Sequence, residues 1–144
     1  MRTKGEIASE DYQGNYNCAQ STFALFAEKY GLDQQTAFRI GAGLGGGCHF
    51  GGTCGAVTAG CGVIGLKYGH TEPDPEKYGE CRAKVREFVE KFVEEFGSIE
   101  CSCLLGIDMA QPGGRDQAKE QGLFDTRCRG LVKFAVDILD ELGY

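Results

Sequence analysis

Residues 53–69, TCGAVTAGCGVIGLKYG, constrain the fold most, because Lys67 is their only charged residue and five of the seventeen are glycine. A helix of this composition has no polar face to show to water, so it belongs in the middle of a fold. Its small residues let neighbouring backbones approach closely. The rest of the chain must then supply helices with one apolar face each to surround it.

The flanking segments have that pattern. Asn15 or Asn17 can cap a helix through residues 18–31, where Ala19, Phe23, Phe26 and Tyr30 recur at spacings of three and four and Gly31 follows the end. Asp33 can cap a second helix over residues 34–44, and Thr53 can cap the central one. Pro73 and Pro75 separate the central helix from a fourth, ended by Gly97, whose apolar stripe is Tyr78, Cys81, Val85, Phe88, Phe92 and Phe96, with Val89 and Val93 beside it. The last segment repeats the pattern with Leu131, Phe134, Ala135, Ile138, Leu139 and Leu142. No segment alternates with period two between turn residues, so strands are not expected. The reading is all-α: a compact helical bundle of five or more helices, with a glycine-rich loop before a buried central helix, as a single domain over residues 1–144.

Charge and hydropathy exclude several functions. The net charge is -6 and Lys and Arg are scattered among acids, so the basic stripe of a nucleic-acid or anionic-membrane binder is missing. The first residues lack the apolar core of a signal peptide, and no apolar run approaches the ~18 residues of a spanning helix. A cytoplasmic location is expected, where thiols stay reduced. Eight cysteines in that setting favour metal binding or redox chemistry over a disulfide framework.

Residues 41–55, GAGLGGGCHFGGTCG, begin with a match to G-x-G-x-x-G. A dinucleotide site needs a strand before that motif, a helix starting inside it and an acidic residue about 20 positions on. Here a capped helical pattern precedes it, more glycines follow, and the later window is CGVIGL. Nucleotide binding is rejected. No G-K-[ST] follows for a P-loop, and Gly45 stands where the first cysteine of a haem attachment motif would be.

No C-x-x-C pair is present, so any metal centre must be assembled from cysteines distant in sequence. Cys18, Cys54, Cys101 and Cys128 each fall in the first turn or so of an expected helix, after Asn15 or Asn17, Thr53, Ser98, and Asp125 or Thr126. Helix N-termini carry partial positive charge and free N–H donors, which favour thiolates or an anionic cluster. The other thiols read differently. Cys81 lies on an apolar stripe and reads as core, and Cys61, seven residues after Cys54, packs beneath the site. Cys48 in the glycine loop reads as a ligand, a resolving thiol or an accessory, and Cys103 is an alternative ligand to Cys101. His49 and His70 read as loop histidines.

The order of Cys18 in NYNCAQSTFALF, CGAVTAG from Cys54, Cys101 in FGSIECSCLLGID and Cys128 in CRGLVKFAVDIL resembles the C-GCAxxG-C-C family, to which redox activity is ascribed. The likeness runs from about residue 7 to 142. One departure is Ala59, which occupies the final glycine of CGAxxG. The chain is also similar to the iron-sulfur part of split-Soret cytochromes, without their haem motifs. The resemblance implies that Cys18, Cys54, Cys101 and Cys128 bind a metal cofactor, an iron-sulfur cluster, with Cys48 and Cys103 as accessories. It implies an electron carrier or oxidoreductase acting with a redox partner protein, and it leans toward a homodimer. Two other readings stay open: a metal-free dithiol-disulfide oxidoreductase in which Cys54 attacks and a neighbour such as Cys48 resolves, and a zinc-binding structural module.

Overall fold

The computed structural model describes residues 1–14 and 16–144, so the alternative cap Asn15 lies outside the described residues. Among the described residues eight α-helices follow one another: α1 (Lys4–Gly14), α2 (Cys18–Ala27), α3 (Gln34–Gly46), α4 (Gly55–Tyr68), α5 (Pro75–Phe96), α6 (Cys101–Leu105), α7 (Gly114–Glu120) and α8 (Arg129–Glu141). There is no strand among the described residues, only an isolated antiparallel bridge between Thr53 and Glu100. The all-α expectation holds.

The central segment lies where its composition demands. Helix α4 packs against α2, α3, α5 and α8. Its Ala56, Val57, Ala59, Gly60, Val63 and Ile64 are buried. Gly60 shows why small residues are required, because a Cβ there would stand 2.5 Å from the Phe88 ring of α5. Around it α2 buries Ala19, Phe23 and Phe26, and α8 buries Leu131, Val132, Ala135, Val136 and Leu139. Among the described residues no helix is long and apolar enough to cross a membrane.

Helix ends follow the expected chemistry in most places. Asn17 and Gln20 form a reciprocal capping box at α2, Asp33 caps α3, Asp74 caps α5 with Pro75 in the first turn, and left-handed Gly97 closes α5. Two caps differ. Cys54 itself, not Thr53, occupies the N-cap of α4, and Thr53 is held by the bridge to Glu100. Neither Asp125 nor Thr126 caps α8, because a π-helical turn, Phe124–Cys128, winds straight into it. The α5 stripe is also narrower than expected. Phe88 and Phe92 are buried, whereas Tyr78 and Val93 are 52% and 39% exposed and Cys81 is only partly covered. Tyr78 instead meets His70 edge-on at 5.0 Å on the surface.

Candidate functional site

Cys18, Cys54, Cys101 and Cys128, brought from four separate elements, line a single cavity of about 540 Å³. Each is placed by a different local device. Cys18 is the first residue of α2, and the Asn17 cap that starts this helix also donates from Nδ2 to the Gly41 carbonyl at 3.2 Å. Gln20 donates to the Phe38 carbonyl at 3.0 Å, so the N-terminus of α2 is fastened to α3. Cys54 and Cys101 each follow one residue of the Thr53–Glu100 bridge. The Cys54 N–H donates to the Ile99 carbonyl and the Cys101 N–H to the Gly52 carbonyl, both at 2.7 Å, which locks the starts of α4 and α6 side by side. Cys128 sits where the π-turn joins α8.

The glycine loop serves Cys18. Gly46, Gly47, Cys48 and His49 all have positive φ, a short left-handed turn that costs about 1–2 kcal/mol for each non-glycine residue. His49 is anchored through Nε2 to the Ala42 carbonyl at 2.8 Å. The turn aims the Gly46 N–H at the Cys18 sulfur. Gly55 closes the other side: a Cβ there would lie 2.6 Å from the same sulfur.

These environments divide the thiols. The Cys54 thiol and the N–H groups of Gly46, Gly55 and Ala19 together outweigh burial and hold Cys18 well below the usual thiol range. Its partner Cys54 is pushed up by bonding to Cys18 and by burial, so the pair shares one proton and the negative charge rests on Cys18. Burial raises Cys101 to about 11, reinforced by the Cys18 and Glu100 charges. Burial raises Cys128 to about 12, against a lowering by the Tyr12 hydroxyl beside it. The expected lowering at four helix starts is therefore seen at Cys18 alone. Cys128 has no free helix end, at Cys54 the bond to Cys18 and then burial exceed the pull of the backbone, and at Cys101 burial raises the thiol.

Cys48 and Cys103 are exposed and do not line the cavity, so the structure does not bring the two accessory thiols to the site. Cys61 is partly buried against the main core, as expected, and burial raises it to about 11. The thiol bonded to Cys54 is Cys18, whereas Cys48 is exposed. His49, read as a loop residue, lines the cavity. Tyr12 was not singled out from sequence, nor were Arg115 and Lys119, which also line it. Among the described residues, no group of three or more His, Cys, Asp or Glu side chains stands close enough to hold one metal ion.

A family model described as "Putative redox-active protein (C_GCAxxG_C_C)" matches residues 16–142. The chain belongs to this family. No curated protein and no solved structure matches it. The family match spans all four cavity thiols and the helices that place them, and the membership carries a redox character without specifying a cofactor.

Proposed function

We propose that this family member binds an iron-sulfur cluster through the thiolates of Cys18, Cys54, Cys101 and Cys128 and passes electrons one at a time to a redox partner protein. The observation that carries this reading is the convergence of four thiols from four elements on one cavity that, among the described residues, no carboxylate lines. A single zinc ion would need its sulfurs at about 2.3 Å from one point. In a polynuclear cluster the thiolates bind different irons, which suits thiols of which, among the described residues, no three stand close enough to hold one ion. When bound, the cluster supplies a centre that takes up and returns an electron. The chain's own residues do the rest: the amides around Cys18 favour its anionic sulfur, burial of Cys101 and Cys128 excludes water, and the Tyr12 hydroxyl stands ready to donate to Cys128.

One observation favours a second reading. The Cys18 and Cys54 pair, one anionic and one protonated, is the arrangement of a metal-free dithiol. In that chemistry the Cys18 thiolate attacks a substrate disulfide and releases one thiolate. Cys54 then attacks the mixed disulfide, leaving a Cys18–Cys54 disulfide and a second free substrate thiol.

Purification without oxygen, with assay of iron, acid-labile sulfide and zinc, separates these. Iron with sulfide, lost on replacing each of the four cysteines by alanine and retained in C48A and C103A, is the expected outcome. Metal-free protein whose Cys18 and Cys54 change reversibly with a disulfide substrate establishes the second reading. Zinc alone refutes both.

A further inference from the structure

The cavity extends from the thiols to a second kind of wall. Cys101 and Cys128 are only 8% and 9% exposed, whereas Arg115 and Lys119 are exposed, so thiols form the closed end and cations the open end. Met109 and Phe124, which also line the cavity, pack against the cluster of Cys101, Leu105 and Cys128. The two cations are four residues apart on α7 and so share a face, and the Arg115 guanidinium is held over the Phe124 ring at 5.6 Å. Among the described residues neither has a carboxylate partner within salt-bridge distance. The chain as a whole has 21 acidic and 15 basic residues, yet among the described residues the cavity is lined by these cations and by no carboxylate.

We infer that the outer part of the cavity is a binding subsite for a small organic anion, a carboxylate on an apolar body, gripped by Arg115 and Lys119 with its body directed inward between Met109 and Phe124. The volume of about 540 Å³ falls within the range of about 300–1,000 Å³ typical of small-molecule sites, which are mostly apolar with a few placed polar groups. A guanidinium offers a planar fork that pairs with a carboxylate through two hydrogen bonds, and the ammonium adds a point charge one helical turn away. An anion held at the mouth places its apolar end toward the thiols, as a substrate of a centre there would need. That role as substrate rests on the redox reading above, whereas the binding itself does not.

The probe is benzoate, with benzamide as its neutral counterpart, titrated calorimetrically into the full-length protein as purified without oxygen. One benzoate should bind per chain. R115Q/K119Q should weaken benzoate by about ten- to hundredfold, the loss of charge-assisted hydrogen bonds, while benzamide binding, thermal melting and metal content stay unchanged. The single change K119Q should give a smaller loss. Absence of saturable benzoate binding, or equal affinity in wild type and R115Q/K119Q, overturns the proposal. So does loss of metal from the double variant in step with benzoate binding, because the cations would then be balancing the charge of the centre. Zinc-containing or metal-free protein that binds benzoate as described removes the iron-sulfur reading and keeps the subsite. An iron-sulfur protein that ignores benzoate does the reverse.

Discussion

Gly55→Ala tests how tightly the Cys18 sulfur is pressed against α4. An added Cβ would stand 2.6 Å from Cys18 Sγ, 3.0 Å from the Leu44 carbonyl oxygen and 3.2 Å from Ala19 Cβ. Two of these neighbours are in α2 and one is in α3, and α2 is fastened to α3 through Asn17 and Gln20, so the site has little room to relax. Overpacking of this kind costs about 1–3 kcal/mol. Alanine's better helix propensity offsets up to about 1 kcal/mol, which leaves a net loss of about 1–2 kcal/mol. For a domain of this size that lowers the melting temperature by about 3–8 °C. Gly65→Ala is the control in the same helix, because its Cβ would meet nothing within 4 Å. It should stabilise by about 0.5–1 kcal/mol. Both variants and wild type are melted as metal-free protein under reducing conditions and followed by circular dichroism. If Gly55→Ala melts at or above wild type, the sulfur is not seated against the start of α4 and the account of the glycine at this position is wrong.

The remaining predictions concern protons and one hydroxyl. Cys18 is lowered to about 6 from an ordinary 9.0, so between those values the unfolded chain holds a proton that the folded one lacks. Stability of the metal-free protein should therefore rise across that window and be lost as pH falls through about 6. Above about 9 the sign reverses, because Cys101 and Cys128, raised to about 11 and 12, keep protons that the unfolded chain gives up. Urea midpoints measured in reducing buffer across this range read both limbs. A wild-type midpoint that is flat from about pH 6 to 9, and unaltered by C18S, contradicts the first. Tyr12→Phe removes the hydroxyl beside Cys128 and should cost about 0.5–1.5 kcal/mol in urea unfolding. In the cluster-loaded protein of the proposed reading it should also shift the midpoint potential downward, since a donor to sulfur favours the reduced, more negative state. An unchanged potential would detach Tyr12 from the centre.

The helices legible in the sequence are those long enough for the apolar period to repeat: α2, α3, α4, α5 and α8. Helix α1 carried no such signal. Its buried side chains include only Ala8 and Ser9, and it docks on α8 through polar contacts such as the Gly5 N–H to Asp137 at 3.1 Å. Helices α6 and α7 have 5 and 7 residues, too few for a period of 3.6 to show itself. The four thiols stood out by their places at helix starts and by the family resemblance, but their individual characters did not. A helix start lowers a thiol, burial raises it, and burial is decided by what the fold lays over the sulfur. Cys18 keeps the lowering because the Cys54 thiol bonds to it and a left-handed turn from another part of the chain brings an amide to it. Cys54 and Cys101 are aligned by a bridge between residues 47 positions apart, for which no local pattern exists. Arg115 and Lys119 lie in a segment rich in charge, and the cavity is what distinguishes them from other surface cations. The positions hardest to find from sequence are thus those whose chemistry comes from a neighbour, and Tyr12 is the clearest. Its hydroxyl acquires a partner only when α1, the helix with the weakest pattern, lies against the thiol at the start of α8.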